Sequence, residues 1–194
     1  MDVSTLHVLT EDLAGFLSEL TQSDLERPTS WANGDVGDLY LHLIDRNTSV
    51  AAAITGEPIP RGQWPGPLER ASLADFLDPY YGGGLETGYR RTARFMEDAF
   101  ASTTDTDALL HLQGLAGEID IETLYELQIS DTVLHTWDVA QALGFSYRPA
   151  RNVTLRILRT MVLGAAAAEH QAIDDVDLFE GALKLSRRSA QQRA

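Results

Sequence analysis

Cysteine is absent from all 194 residues. That excludes disulfide scaffolds, thiolate metal sites and cysteine nucleophiles together, so any thiol in the chemistry must come from outside the chain. Positive charge is scarce: 15 Lys and Arg stand against 29 Asp and Glu, a formal net charge of −14 at pH 7. Such a surface repels phosphate backbones and anionic lipid, so neither nucleic acid nor membrane is an expected partner. Long apolar runs are missing as well. The longest stretch, around MVLGAAAAEH (Met161 to His170), is flanked by Arg156, Arg159 and Glu169 and falls short of the roughly 20 apolar residues a membrane span needs. The N-terminus, MDVSTLHVLTEDLAGFL, is acidic where an export signal is basic, so no signal is read and a cytoplasmic location is expected. Internal repeats, low-complexity runs and linkers are also lacking, and residues 1–194 read as one domain. A chain of this length buries about 70% of its unfolded surface and supports a core without disulfides.

What is present is helical periodicity. Leu6, Leu9, Leu13, Phe16, Leu17 and Leu20 recur at intervals of three and four and predict a first helix ending near Thr21, with Glu11, Asp12 and Glu19 toward water. SDLERPTSWANG holds a proline and a turn signal at Asn33-Gly34, so it reads as a loop that delivers Trp31 and starts a second helix from near Asp35 to about Thr55. GEPIPRGQWPGP (Gly56 to Pro67) carries four of the seven prolines and reads as a rim loop. From Ser72 the apolar spacing resumes, breaks at Gly82-Gly83-Gly84 and continues through Tyr89, Phe95, Met96 and Phe100 as a long, interrupted third helix. A connector from Leu109 to Gly117 precedes a fourth helix, marked by Ile121, Leu124, Leu127, Val133, Leu134, Trp137, Val139 and Leu143 and ended by Gly144 in a left-handed cap. Two more helices are predicted, over roughly Asn152 to His170 and Asp175 to Arg188, followed by a frayed tail, RRSAQQRA. Strand alternation is confined to LLHLQGL and EIDIETL, which can pair as a short hairpin. The fold class is all-α, a four-helix bundle with additional C-terminal helices.

Asp131 and His135, in SDTVLHTWDVAQALG, stand four residues apart, which puts a carboxylate and an imidazole on one helix face. His42 lies in the second amphipathic stretch, DVGDLYLHLIDRN, so two packed helices can present two histidines and one carboxylate to one ion. Three protein ligands leave a position open for water or a substrate atom, the mark of a catalytic rather than a structural site. A bound divalent ion also stabilises a thiolate, as it lowers the pKa of bound water to ~7, so an external low-molecular-weight thiol can supply the missing nucleophile. The same pair is equally read as an exposed helix contact worth only ~0.2–0.5 kcal/mol, and His42, beside Leu41 and Leu43, as a core-edge histidine. Trp31 and Trp137 read first as packing residues. Tyr80, Tyr81 and the Gly82 to Gly84 run fit a pocket mouth or a simple helix break, and His7, His111 and His170 have no partner at ligand spacing.

WANGDVGDLYLHLID resembles the W-x-V-x-D-L-x-x-H-L segment, and LHTWDVAQALG the H-x-W-D-L-A-x-A-L-G segment, of the DinB-like superfamily, specifically its mycothiol-dependent maleylpyruvate isomerase N-terminal branch. The resemblance extends from SDLERPTSW to DDVDLFEGALKLSRR. It implies a bundle in which His42, Asp131 and His135 hold zinc, or else nickel or iron, and mycothiol or a related thiol serves as co-substrate. The branch more often shows glutamate where this chain has Asp131, so the ion would sit closer to that helix or bind through water. Asp138 also matches the motif and is expected to position the thiol or support a ligand; Asp38, one turn before His42, is expected to accept a hydrogen bond from an imidazole. Both carboxylates are the candidate catalytic residues.

The function implied is a metal-dependent enzyme that transfers a thiol to a small electrophilic substrate or uses it transiently to isomerise one. Transfer is expected over maleylpyruvate isomerisation, because the full isomerase is expected to carry an additional C-terminal domain for which 194 residues leave no room. Two other readings stay open. One is a thiol-independent enzyme on the same scaffold, a metal Lewis-acid hydrolase or a pocket-based cyclase; the other is a non-catalytic, stress-associated bundle that binds small molecules. The expected partner is a small-molecule substrate, and the expected state a monomer or homodimer.

Overall fold

The second helix starts at a capping box. Asp35 accepts a hydrogen bond from the Asp38 amide at 3.0 Å, and the Asp38 carboxylate accepts one back from the Asp35 amide at 3.4 Å. The next two amides, of Val36 and Gly37, donate to the carbonyls of Arg27 and Leu25, so the orphan donors of the first turn are satisfied. A computed structural model describes residues 1–57, 69–78, 83–112, 117–164 and 183. Its elements are α1 (Ser4–Ser18), α2 (Val36–Thr55), a single turn α3 (Leu73–Phe76), α4 (Leu85–Ser102), β1 (Leu109–His111), β2 (Glu118–Asp120), α5 (Ile121–Leu143) and α6 (Arg151–Gly164).

The architecture is all-α. Helices α1, α2, α4 and α5 close a ring in which α1 and α2 each pack on both α4 and α5, and α6 lies against the outside of α5. The α2–α5 contact is the loosest of these four seams. The predicted hairpin forms, antiparallel, with Leu110 opposite Ile119, and Gly56 and Gly144 end their helices at φ 74° and 79°. The predicted third helix is two elements, α3 ending at Phe76 and α4 starting at Leu85. Tyr80, Tyr81 and Gly82, most of the proline-rich loop, His170 and all of the Asp175 to Arg188 prediction but Leu183 lie outside the described residues.

The core comes in two apolar halves. One gathers Leu6, Leu9, Val50, Met96, Phe100, Leu124 and Ile129; the other gathers Leu13, Leu17, Val36, Leu39, Tyr40, Leu85 and Tyr89. Between them each bundle helix places buried polar residues at mid-height: Thr10 on α1, Asn47 on α2, Thr92 and Glu97 on α4, His135 and Thr136 on α5. Most are paired, as buried polar groups must be. Thr10 Oγ1 donates to Glu97 at 2.5 Å, His7 Nδ1 lies 2.9 Å from the same carboxylate, and Asn47 donates to Thr92 at 3.3 Å. His7, which has no ligand-spaced neighbour in sequence, is half exposed and meets this belt from the surface through Glu97.

Gly37 is fixed by a close approach. A Cβ there would overlap the Arg70 guanidinium, which crosses the first turn of α2 to donate to Asp35 at 2.6 Å and to the Leu25 carbonyl at 3.2 Å. Alanine ordinarily gains ~0.5–1 kcal/mol over glycine within a helix, but here it would displace Arg70 and lose both bonds, each worth about 1 kcal/mol or somewhat more. Gly37→Ala is therefore expected to lower stability by about 1 kcal/mol in urea denaturation; an unchanged or raised midpoint would contradict this packing.

Candidate functional site

His42 and His135 meet across the loose α2–α5 seam. Their ring centroids are 5.2 Å apart and their planes nearly perpendicular, at 81°. One turn away in each helix Arg46 meets Asp131, Nη2 to Oδ2, at 3.3 Å. The two pairings together show that α2 and α5 run antiparallel here, with two polar rungs where a bundle ordinarily places apolar knobs. Trp31 forms the third wall, stacked on His42 with centroids 4.4 Å apart and edge-on to His135 at 6.2 Å.

The electrostatics of the seam keep His42 neutral. Burial, first, and then the nearby charges of His135 and Arg46 push its pKa down from 6.5 to about 4, which leaves a free ring lone pair across the physiological range. His135 is buried and its Nδ1 has no hydrogen-bond partner among the described residues. The nearest carboxylate is that of Asp138, itself buried, at 3.7 Å from Nδ1. That is beyond hydrogen-bond length, though close enough to orient the ring.

Of the sequence candidates, the structure brings His42, His135 and Asp138 together. Asp131 is on the expected face but turned to Arg46, and among the described residues no three His, Asp or Glu side chains converge closely enough to hold an ion. Asp38 is not near an imidazole through its hydrogen bonds: its carboxylate closes the α2 capping box, a use that the spacing to His42 did not indicate.

The sequence reading gave Arg46 no role and took Trp31 first as packing, whereas the structure sets both beside the facing histidines. Trp31 reaches His42 from a tight turn closed by the Gly34 amide on the Trp31 carbonyl at 2.9 Å, beneath a bridge between Pro28 and Asp35. The left-handed residues of the turn are Ala32 (φ 48°) and Asn33 (φ 58°), one place earlier than the Asn33-Gly34 signal suggested. Gly34 instead serves a close approach, because a Cβ there would stand 3.2 Å from that of Asp38. In the motif quoted above tryptophan precedes valine by two places, whereas Trp31 precedes Val36 by five, and the turn occupies the difference. A left-handed alanine costs of order 1 kcal/mol or more, the kind of strain that persists where surrounding structure holds it. Arg46 did carry a signal: it follows His42 by four residues as Asp131 precedes His135 by four, so antiparallel helices must set the two charges opposite each other.

Among protein families, that described as the mycothiol maleylpyruvate isomerase N-terminal domain matches residues 6–140. Its span includes α1 through nearly all of α5, and hence every residue of the seam. No curated protein matches the chain, and no solved structure does.

The depressed pKa of His42 predicts a pH dependence. Between its ordinary 6.5 and about 4 the unfolded chain binds this proton and the folded protein does not, so the stabilisation is complete above pH 6.5 and is lost as pH falls toward 4. An NMR titration of the metal-free protein should show the His42 ring neutral down to about pH 4–5; a midpoint at or above 6.5 would contradict the burial and charge environment assigned to it.

Proposed function

Since the chain belongs to the mycothiol maleylpyruvate isomerase N-terminal domain family, we propose that it is an enzyme that uses a low-molecular-weight thiol, mycothiol or a relative, on a small electrophilic substrate. The product is either the thiol adduct or an isomer released after transient addition. The observation that carries this reading is the His42–His135 pair, two imidazoles facing each other in a seam where the bundle would otherwise pack apolar side chains. The Cys-free chain has no thiol of its own, which agrees with an external one.

The donor types suit a divalent ion, although Asp131 must leave Arg46 before the three converge. His42 is neutral, both imidazoles lie in one seam, and Asp131 stands on the same face of α5 as His135. Two nitrogens and a carboxylate suit zinc, nickel or iron(II). His42, His135 and Asp131 would hold it, the last after leaving Arg46. Such an ion, when bound, supplies a positive centre that keeps a thiol in its thiolate form at neutral pH.

The chain's own residues do the rest. Asp138 lies 3.7 Å from His135 Nδ1; a small approach on ligand binding would let it accept that nitrogen's proton and leave Nε2 as the ligating atom, the arrangement that raises the basicity of a ligating imidazole. Trp31 covers one face of His42, excludes water from it and fixes its plane. The thiolate sulfur adds to the electrophilic carbon as a π bond of that carbon breaks, and the displaced electron pair takes up the proton the thiol gave up, carried by solvent or by Asp138; reversal after bond rotation expels the thiol and gives the isomer. The acidic surface, at −14, agrees with a small-molecule substrate rather than a polyanionic one.

Two measurements test this. Titration of zinc-loaded protein with mycothiol should release heat that is absent from His42→Ala; a metal-loaded protein that binds no thiol would contradict thiol use and favour a thiol-independent enzyme. Asp138→Asn should lower zinc affinity or turnover of a model electrophile about 10–100-fold while leaving the melting temperature nearly unchanged; full activity and affinity in the variant would remove Asp138 from the site.

A further inference from the structure

Arg46 occupies a place that the chemistry proposed above leaves unexplained. It projects from α2 one turn beyond His42, its side chain is only 16% exposed, and among the described residues its one ion pair is to the Asp131 carboxylate at 3.3 Å. Its Nε is buried with no hydrogen-bond partner among the described residues. A buried guanidinium with an unused donor and a single long contact is poorly anchored, because bidentate geometry is what makes arginine pairs strong.

We infer that Arg46 is a positioning residue that competes with a divalent cation for Asp131 and so sets the affinity of the seam for that cation. In the metal-free protein Arg46 neutralises Asp131 and keeps the carboxylate away from the two histidines. Cation binding transfers Asp131 from the guanidinium to the ion, completing a set with His42 and His135. The inference rests on the reading of this seam as a divalent-cation site.

The geometry supports exchange rather than sharing. Aspartate has one methylene fewer than glutamate, so its reach across the seam is short, and it serves either the guanidinium or an ion beside the imidazoles. The ion pair is weak enough to be displaced: a single contact with 36% of the Asp131 side chain exposed is of the kind that contributes little in water. The guanidinium also stands one helical turn from His42 and repels a second positive charge placed there, through a medium less polar than water. Both effects lower cation affinity, and both end with removal of Arg46.

The test compares the full chain, stripped with chelator, with Arg46→Met, which keeps an unbranched apolar stem, and Arg46→Lys, which keeps charge without the planar fork. Zinc affinity is read by calorimetry, ligand geometry by visible absorption with cobalt(II), and folding by circular dichroism and melting. Arg46→Met should bind zinc roughly tenfold tighter than the parent, with Arg46→Lys between them, and in an Asp131→Asn background the gain should shrink to about twofold. Equal or weaker binding by a folded Arg46→Met, or a gain that persists without Asp131, overturns the inference while leaving the cation site standing. If Arg46→Met does not fold, Arg46→Lys alone decides, by binding zinc more tightly than the parent or not. Failure of both parent and variants to bind zinc or cobalt overturns the inference and the cation reading together.

Discussion

Two polar pairings cross the α2–α5 seam, the ring contact between His42 and His135 and the ion pair between Arg46 and Asp131, and they set the two helices antiparallel face to face. Polar groups placed inside a bundle must find partners, since an unpaired charge there is strongly unfavourable. That constraint accounts for what surrounds the seam. The seam is the loosest of the four, burial with the charges of His135 and Arg46 keeps His42 neutral, and Asp138 is the carboxylate nearest His135 Nδ1.

The seam continues a wider pattern, a buried polar belt dividing the core into two apolar halves. On the far side of the bundle the belt is closed on itself: Glu97 takes Thr10 and His7, and Asn47 takes Thr92. On the α2–α5 side Arg46 Nε and His135 Nδ1 have no hydrogen-bond partner among the described residues. Closed pairs fasten helices, whereas open donors and lone pairs in a loose seam are available to a ligand.

Most of the fold was legible because its signals are local. The start of α2 near Asp35, left-handed termination at Gly144 and the short hairpin each depend on a few neighbouring residues. The division of the third helix into α3 and α4 was half legible, as a glycine run marks the break without giving its extent. Position in the seam was legible as far as helical spacing reaches: His42 on one helix and Asp131 and His135 on the other do face each other. What crosses the seam was not. The spacing of Asp131 from His135 is the same whether the carboxylate turns to a metal or to an arginine, and only the position of Arg46 on the opposite helix decides between them. Trp31 was obscured for a similar reason. Its stacking on His42 depends on two left-handed residues, one of them alanine, and alanine carries no turn signal.

The claim at the centre is that His42 and His135 form a cation site from which Asp131 is held back by Arg46. Diffraction from zinc-soaked crystals at the zinc absorption edge tests it most directly. The expected result is an anomalous peak within about 2.0–2.1 Å of one nitrogen of each histidine, with Asp131 turned away from Arg46 and toward the ion. Zinc bound elsewhere, or no peak in the seam at saturating zinc, would contradict it.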